Sequence, residues 1–255
     1  MDMREITVTS TLDGTSQPSL YYHPGEGEPV PLVVGLHTWS YDRFNQQRHY
    51  LSLCRERRYA LLLPEFRGPN LDSNPHCADA CGSAKAVGDV LDAVRQVAAD
   101  PGIDRGNIFL LGCSGGGQMA LLAAEAAPEL FRAVEAWCPV TDLERWHRYA
   151  VEAGKHYARH IEACTGGDPG EYARRSPATH PERLARLPVS IHHGRHDTVV
   201  PFRHSVAFAE RVVAAGNDRV YLDIFDGGHE QIPARSFEWF AKLAGKRSGT
   251  IRITG

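Results

Sequence analysis

The stretch 110–117, Leu-Leu-Gly-Cys-Ser-Gly-Gly-Gly, constrains this chain more than any other. It fits the pattern Gly-x-Ser-x-Gly at Gly112, Ser114 and Gly116. An apolar run at 107–111 leads into it, and an alanine-rich helical pattern at 116–126 leaves it. A serine between a strand and a helix sits on a sharp turn with strained dihedrals. Glycines two before and two after it leave room where a Cβ would collide with backbone. Such a turn lifts the serine hydroxyl clear of a sheet and aims the first helical N–H, that of Gly115, at the same region. Phosphate-binding alternatives fail on residue identity. No Lys-Ser or Lys-Thr pair follows the glycines, and Gly-x-Gly-x-x-Gly is not matched from Gly112. Ser114 is therefore the candidate nucleophile.

The rest of the chain supplies the sheet that this turn requires. Short apolar runs at 6–11, 19–23, 32–36, 60–64, 107–111, 133–137, 189–193 and 219–225 predict strands. Helical patterns fall between them at 43–57, 83–99, 116–126, 204–215 and 233–244. In the second of these, Val87, Val90, Leu91, Val94 and Val97 recur at helical spacing, Ser83 can cap the start, and Asp100-Pro101-Gly102 ends it. Two early strands followed by strand–helix alternation predict a mostly parallel sheet of about eight strands, covered by helices on both faces. At 255 residues the chain is read as one domain, 1–255. The stretch 141–187 breaks the alternation: it is charged, rich in His and Arg, and helical only in pieces. It is expected to be a small cap inserted over the sheet.

A serine hydroxyl needs a histidine to take its proton and an acid to orient that histidine. In an order of Ser, acid, His, both partners follow late strands. Asp197 lies in the loop after 189–193, at the strand end where open parallel sheets build their sites. His229 follows the last strand in a loop with two glycines, Gly227 and Gly228. Asp223 and Asp226 are fallback acids beside the last strand. Among thirteen histidines, His192, His193, His196 and His204 read as packing or surface groups.

Acyl transfer also needs two donors aimed at the developing oxyanion. Gly115 N–H is one. The loop after the third strand, Leu36-His37-Thr38-Trp39-Ser40-Tyr41, should supply the other, with Trp39 N–H the candidate and Thr38 its neighbour. His37, Thr38, Arg67 and Trp146 are further candidates for touching a substrate. An internal ion pair accounts equally well for Arg67, and packing of the insertion for Trp146, His147, Tyr149 and Tyr157.

Composition limits the partners. Lys and Arg number 28 against 31 Asp and Glu, so the net charge of −3 nominates neither nucleic acid nor an anionic membrane. No apolar run approaches the roughly 20 residues that span a bilayer. The charged start, Met1 to Glu5, lacks a signal-peptide pattern, and the expectation is a cytoplasmic protein. The six cysteines are scattered. Cys77 and Cys81, near His76, read as free thiols rather than a disulfide or a zinc site, because two further ligands at matching spacing are missing. No metal or cofactor is expected.

These motifs together resemble a known group. Leu36-His37, Phe66-Arg67-Gly68 followed by Gly82 and Asp89, Gly112 to Gly116, Arg175-Ser176-Pro177 and the run His193 to Pro201 are similar to the α/β-hydrolase branch holding dienelactone hydrolases, acetylxylan-esterase-like proteins and prolyl-oligopeptidase catalytic domains. The resemblance spans about 32–239 and implies the α/β-hydrolase fold, with nucleophile, acid and base on Ser114, Asp197 and His229. Many members have glycine directly after the oxyanion-loop histidine, where this chain has Thr38. The leading expectation is a serine carboxylesterase acting on small acyl esters of carbohydrates or other polar alcohols. A serine peptidase ranks second, because related oligopeptidases carry an added propeller domain that 255 residues cannot hold. A non-catalytic binding protein of the same fold ranks third. Oligomeric state is not legible.

Overall fold

The apolar runs become eight strands: β1 (Arg4–Thr9), β2 (Ser16–Tyr22), β3 (Val30–Leu36), β4 (Ala60–Pro64), β5 (Ile103–Cys113), β6 (Ala133–Trp137), β7 (Val189–Gly194) and β8 (Val220–Phe225). They form one sheet in the order β1-β2-β4-β3-β5-β6-β7-β8. The β1–β2 and β2–β4 pairs are antiparallel, and every other pair is parallel. The helices are α1 (Gln47–Arg57), α2 (Ala84–Ala98), α3 (Gly115–Ala126), α4 (Leu143–Glu152), α5 (Tyr157–Thr165), α6 (Pro169–Arg174), α7 (Arg203–Ala214) and α8 (Pro233–Ala244). These coordinates are a computed structural model that describes residues 2–245; Met1, which opens the charged start, and residues 246–255 lie outside the described residues.

Side chains alternate between the two faces of a strand, and here both faces are buried. Leu32, Val34, Leu36, Leu110 and Ile191 point to one face and pack with Val90, Val94, Leu121 and Phe208 from α2, α3 and α7. Val33, Leu61, Phe109, Leu111 and Trp137 point to the other and meet Tyr50 and Cys54 of α1 and Phe237 and Phe240 of α8. The continuous apolar runs at 32–36 and 61–63 follow from this two-sided burial.

The boundaries differ from the sequence expectation in two instructive places. Helix α1 starts at Gln47 rather than 43, because Arg43 is held in the preceding turn by Glu5 (2.6 Å) and Glu65 (2.8 Å). Strand β5 starts at Ile103 rather than 107, because Ile103 pairs with Val30 before a register shift brings Ile108 beside Leu32. Between β6 and β7 the charged stretch holds α4, α5 and α6, followed by short 3-10 turns at Pro177–Thr179 and Pro181–Leu184. Leu143, Trp146, Ile161, Cys164 and Tyr172 of these helices share a small core with Trp39, Cys81 and Val200. Cys77 and Cys81 are free thiols, and the Cys77 Sγ lies 3.4 Å from the Ala163 carbonyl oxygen of α5. Among the described residues no helix is long and apolar enough to cross a membrane.

Helix α3 carries one costly group. Glu125 is buried and its Oε1 has no hydrogen-bond partner. Burial pushes its pKa up to about 9, with Arg183 opposing and Glu182 adding to the effect. A carboxyl held neutral in the folded state and charged when unfolded loses stability as pH rises from the unfolded pKa, about 4.3, towards the folded one. Glu125→Gln should therefore raise Tm by about 5 °C at pH 8 and by distinctly less at pH 5. Thermal melts at the two pH values check this, and an equal shift at both would refute it.

Candidate active site

Ser114 stands between β5 and α3 with φ 58° and ψ −122°, a strained conformation for a residue with a side chain. Its N–H donates to the Trp137 carbonyl at 2.8 Å, which ties the turn to the neighbouring strand. The flanking glycines are required by contact. A Cβ on Gly112 would lie 2.1 Å from the Gly116 carbonyl oxygen, and one on Gly116 would lie 2.4 Å from that of Leu36. The start of α3 is thus pressed against the end of β3.

That approach brings two N–H groups together. A Cβ on Gly115 would lie 3.0 Å from the Trp39 nitrogen. Gly115 opens α3, so its N–H has no acceptor within the helix. Among the described residues the Trp39 N–H has no acceptor either. The Thr38 N–H is engaged, donating to Asn45 Oδ1 at 3.1 Å. Of the two neighbours that could supply the second oxyanion donor, Trp39 is the one left free. The Trp39 carbonyl accepts from Asn70 N–H at 2.8 Å, which fixes the plane of the peptide that follows.

Asp197 follows β7 and is clamped from several sides. Its Oδ1 accepts from Val199 N–H (2.7 Å) and Val200 N–H (2.9 Å). Its Oδ2 contacts His229 Nδ1 (2.7 Å) and His193 Nε2 (3.1 Å). Burial alone would raise the acid's pKa, but the hydrogen bonds from His193 and His229 outweigh it and hold the carboxyl well below the usual range. A carboxylate can only accept, so His229 carries its proton on Nδ1 and presents Nε2 as the basic nitrogen when neutral. The loop carrying His229 crosses close over the end of β7. A Cβ on Gly194 would lie 2.1 Å from the Gly228 carbonyl oxygen.

Ser114 and His229 line one cavity of about 380 Å³ together with Thr38, Trp39, Asn45 and Tyr157. Of the further residues expected at a substrate, only Thr38 lines it. His37 is buried behind it, stacked on Phe66 at 3.8 Å, with its nitrogens at the Thr38 and Glu65 carbonyls (3.0 and 2.8 Å). Burial lowers its pKa while the two carbonyls pull the other way. Arg67 is buried in ion pairs with Asp89 and Asp13, tying the β1–β2 turn and α2 to the loop after β4. Trp146 is fully buried, edge-on to Trp39 at 4.7 Å, and donates its Nε1 hydrogen to the Val199 carbonyl at 2.8 Å. It therefore supports the wall and the Asp197 loop rather than facing the cavity. Tyr149 does the same through Thr198 O at 2.9 Å. Tyr157 is the residue of the insertion that reaches the cavity.

Two features were not legible in the sequence. His193, read as a packing group, is fully buried directly behind Asp197, with Ser205 Oγ 2.7 Å from its other nitrogen. Cys138, His193 and Asp197 have potential ligand atoms within 4.8 Å of one another, but the Asp197 oxygens are already engaged by four donors. A second Ser–His–Asp chain also exists. Ser190 Oγ lies 3.0 Å from His192 Nε2, and His192 Nδ1 lies 3.2 Å from Asp223. Ser190 is buried within β7 and does not line the cavity, so geometry separates this chain from the one at Ser114. Asp223 pairs with Arg235, and Asp226 with exposed His196, which removes both as partners of His229.

Comparison with known proteins accords with this geometry. Residues 45–245 match the model of the prolyl oligopeptidase family. The chain belongs to the prolyl oligopeptidase family. It has the α/β-hydrolase fold. It is similar in fold to Pyrococcus horikoshii acylaminoacyl peptidase (TM-score 0.79, 18% identity, 97% of this chain and 42% of that one). A Mycobacterium tuberculosis puromycin-hydrolyzing peptidase is similar at TM-score 0.73 and 21% identity, over 95% of this chain and 38% of that one. Porphyromonas gingivalis dipeptidyl peptidase 4 is similar at TM-score 0.73 and 16% identity, over 95% and 35%. The chain spans about two fifths of the length of these structures.

The Asn45 side chain holds the loop after β3, the candidate oxyanion loop, through Thr38 N–H. Asn45→Ala should lower kcat at Ser114 by about tenfold with little change in KM, because the donor at Trp39 loses its placement. Steady-state kinetics beside an unchanged Tm would check this; an unaltered kcat would show that the loop is held without Asn45.

Proposed function

We propose that this protein is a serine peptidase that cleaves short peptides or aminoacyl amides through an acyl-enzyme at Ser114. The observation that carries the reading is one cavity lined by a strained serine, by Trp39 with its free backbone N–H and by an Asp197-oriented His229, with Gly115 packed against Trp39. Membership of the prolyl oligopeptidase family favours an amide over an ester as the substrate, as do fold relatives named as peptidases. The carboxylesterase expectation thus gives way to the peptidase reading.

Ser114 Oγ attacks the scissile carbonyl while His229 Nε2 takes its proton. Asp197, kept ionised by its donors, stabilises the imidazolium that forms. The Gly115 and Trp39 N–H groups hold the negative charge on the carbonyl oxygen. His229 then protonates the departing amine, and water activated by the same nitrogen releases the acyl group. Activated esters enter by the same route with an alcohol as leaving group, so ester turnover is expected alongside amide turnover.

A fluorophosphonate probe should label the protein at Ser114. Ser114→Ala should lose the label and at least about 10⁴ of kcat on an aminoacyl p-nitroanilide. Turnover of p-nitrophenyl esters without any anilide turnover would sink the peptidase reading in favour of an esterase. An unlabelled, folded wild type would favour a binding protein without catalysis.

A further inference from the structure

Strand β7 ends in two adjacent histidines with separate surroundings, because successive side chains of a strand point to opposite faces. His192 turns to one face and stacks on Trp137 at 4.1 Å. His193 turns to the other, toward α7 and the loop of Asp197. The His193 ring and the Asp197 carboxylate are both fully buried.

Two neighbours that can only accept fix the donor sense of His193 Nε2. The Val200 carbonyl oxygen lies at 2.8 Å and Asp197 Oδ2 at 3.1 Å. A carbonyl and a carboxylate have no hydrogen to give, so Nε2 carries one and shares it between them. The opposite nitrogen, Nδ1, meets Ser205 Oγ at 2.7 Å, in the first turn of α7. Ser205 is itself fully buried. The ring is thus anchored at both nitrogens, and its edge is aimed at the acid.

His193 and His229 meet the same oxygen. Asp197 Oδ2 takes His229 Nδ1 at 2.7 Å as well as His193 Nε2, while Oδ1 is held by the Val199 and Val200 N–H groups. His229 gains and loses a proton in each half of a Ser–His–Asp reaction, so its bond to Oδ2 changes during turnover. His193 takes no part in those transfers, and its bond persists through them. Without it, only the backbone donors on Oδ1 would stop the carboxyl from turning about its Cβ–Cγ bond and carrying Oδ2 away from His229. Cys138 also stands beside Asp197, but its Sγ lies 3.4 Å from the Glu230 carbonyl oxygen, an acceptor for its single hydrogen.

We propose that His193, anchored by Ser205, is a positioning residue of this site: its Nε2 hydrogen fixes the Asp197 oxygen that orients His229. It touches neither the substrate nor the reacting atoms. This role rests on the acyl-enzyme reading of Ser114, His229 and Asp197 above, and not on the choice between amide and ester. Its effect falls on kcat, because Asp197 serves the proton transfers and does not bind substrate.

Two replacements separate the two ring nitrogens. His193→Gln puts an amide N–H near the Nε2 position and gives up the contact with Ser205. His193→Asn reaches only as far as Nδ1, keeps the Ser205 contact and gives up the bond to Asp197. Kinetics on an aminoacyl p-nitroanilide and on p-nitrophenyl acetate are read beside the second-order rate of fluorophosphonate labelling, all well below each variant's Tm. His193→Asn should lose at least about tenfold in kcat and in labelling rate, with KM within about twofold of wild type. His193→Gln should recover both to within about threefold of wild type. Equal losses in the two variants, losses that follow Tm, or a wild-type kcat in His193→Asn would overturn the role. If His193→Asn does not fold, Ser205→Ala carries the test: loosening the ring should lower kcat about threefold or more at constant KM, and an unchanged kcat refutes the anchor. A wild type that is labelled and turns over only the ester ends the peptidase reading alone, and the variants are then ranked on ester and label. A folded wild type without label or turnover removes the acyl-enzyme reading and this role with it.

Discussion

The site depends on one close approach, that of the first turn of α3 to the last residues of β3. Gly116 has no room for a Cβ because the Leu36 and His37 carbonyl oxygens occupy the space, at 2.4 and 2.7 Å from where it would be. With any side chain there, the helix would stand off from the strand. The Trp39 N–H would leave the neighbourhood of Gly115, and Ser114 would lose its strained geometry. The same contact explains why the serine turn, the oxyanion loop and the sheet cannot be considered separately. The strain at Ser114 is tolerated because the buried strands on both sides over-determine its position.

A second constraint acts on Asp197. Four donors converge on its two oxygens: two are backbone N–H groups of its own turn, and two are histidines. The carbonyls of the same turn are taken in their turn by the insertion, Thr198 by Tyr149 and Val199 by Trp146. Helix α4 therefore buttresses Asp197 as well as packing with α5 and α6 around Trp39 and Val200. This gives the stretch 141–187 a structural task that its charged, irregular sequence does not reveal.

Much of the fold was legible. The eight apolar runs, the helices between them and the break at 141–187 follow from hydrophobic periodicity and turn residues, which act locally. Ends were less legible. The start of α1 is set by Arg43 reaching Glu5 and Glu65, and the start of β5 by pairing with Val30, and both are contacts between distant residues. Arg67 and Trp146 illustrate the same limit at the site. Each has the chemistry to meet a substrate, and each is turned inward by partners that no spacing rule identifies. His192 and Ser190 show the reverse case, a Ser–His–Asp chain with correct contacts and no cavity beside it.

The sequence by itself determined the strand–helix order, the serine turn and the loops on which Asp197 and His229 lie, because glycine spacing and apolar periodicity are properties of neighbouring residues. Only the tertiary structure decided which of the Thr38 and Trp39 N–H groups is free, which histidine stands behind Asp197 and what lines the cavity. Thr38 and Trp39 differ because Asn45 folds back onto one and not the other. Such outcomes are set by hydrogen-bond partners arriving from elsewhere in the chain, and no local pattern encodes them.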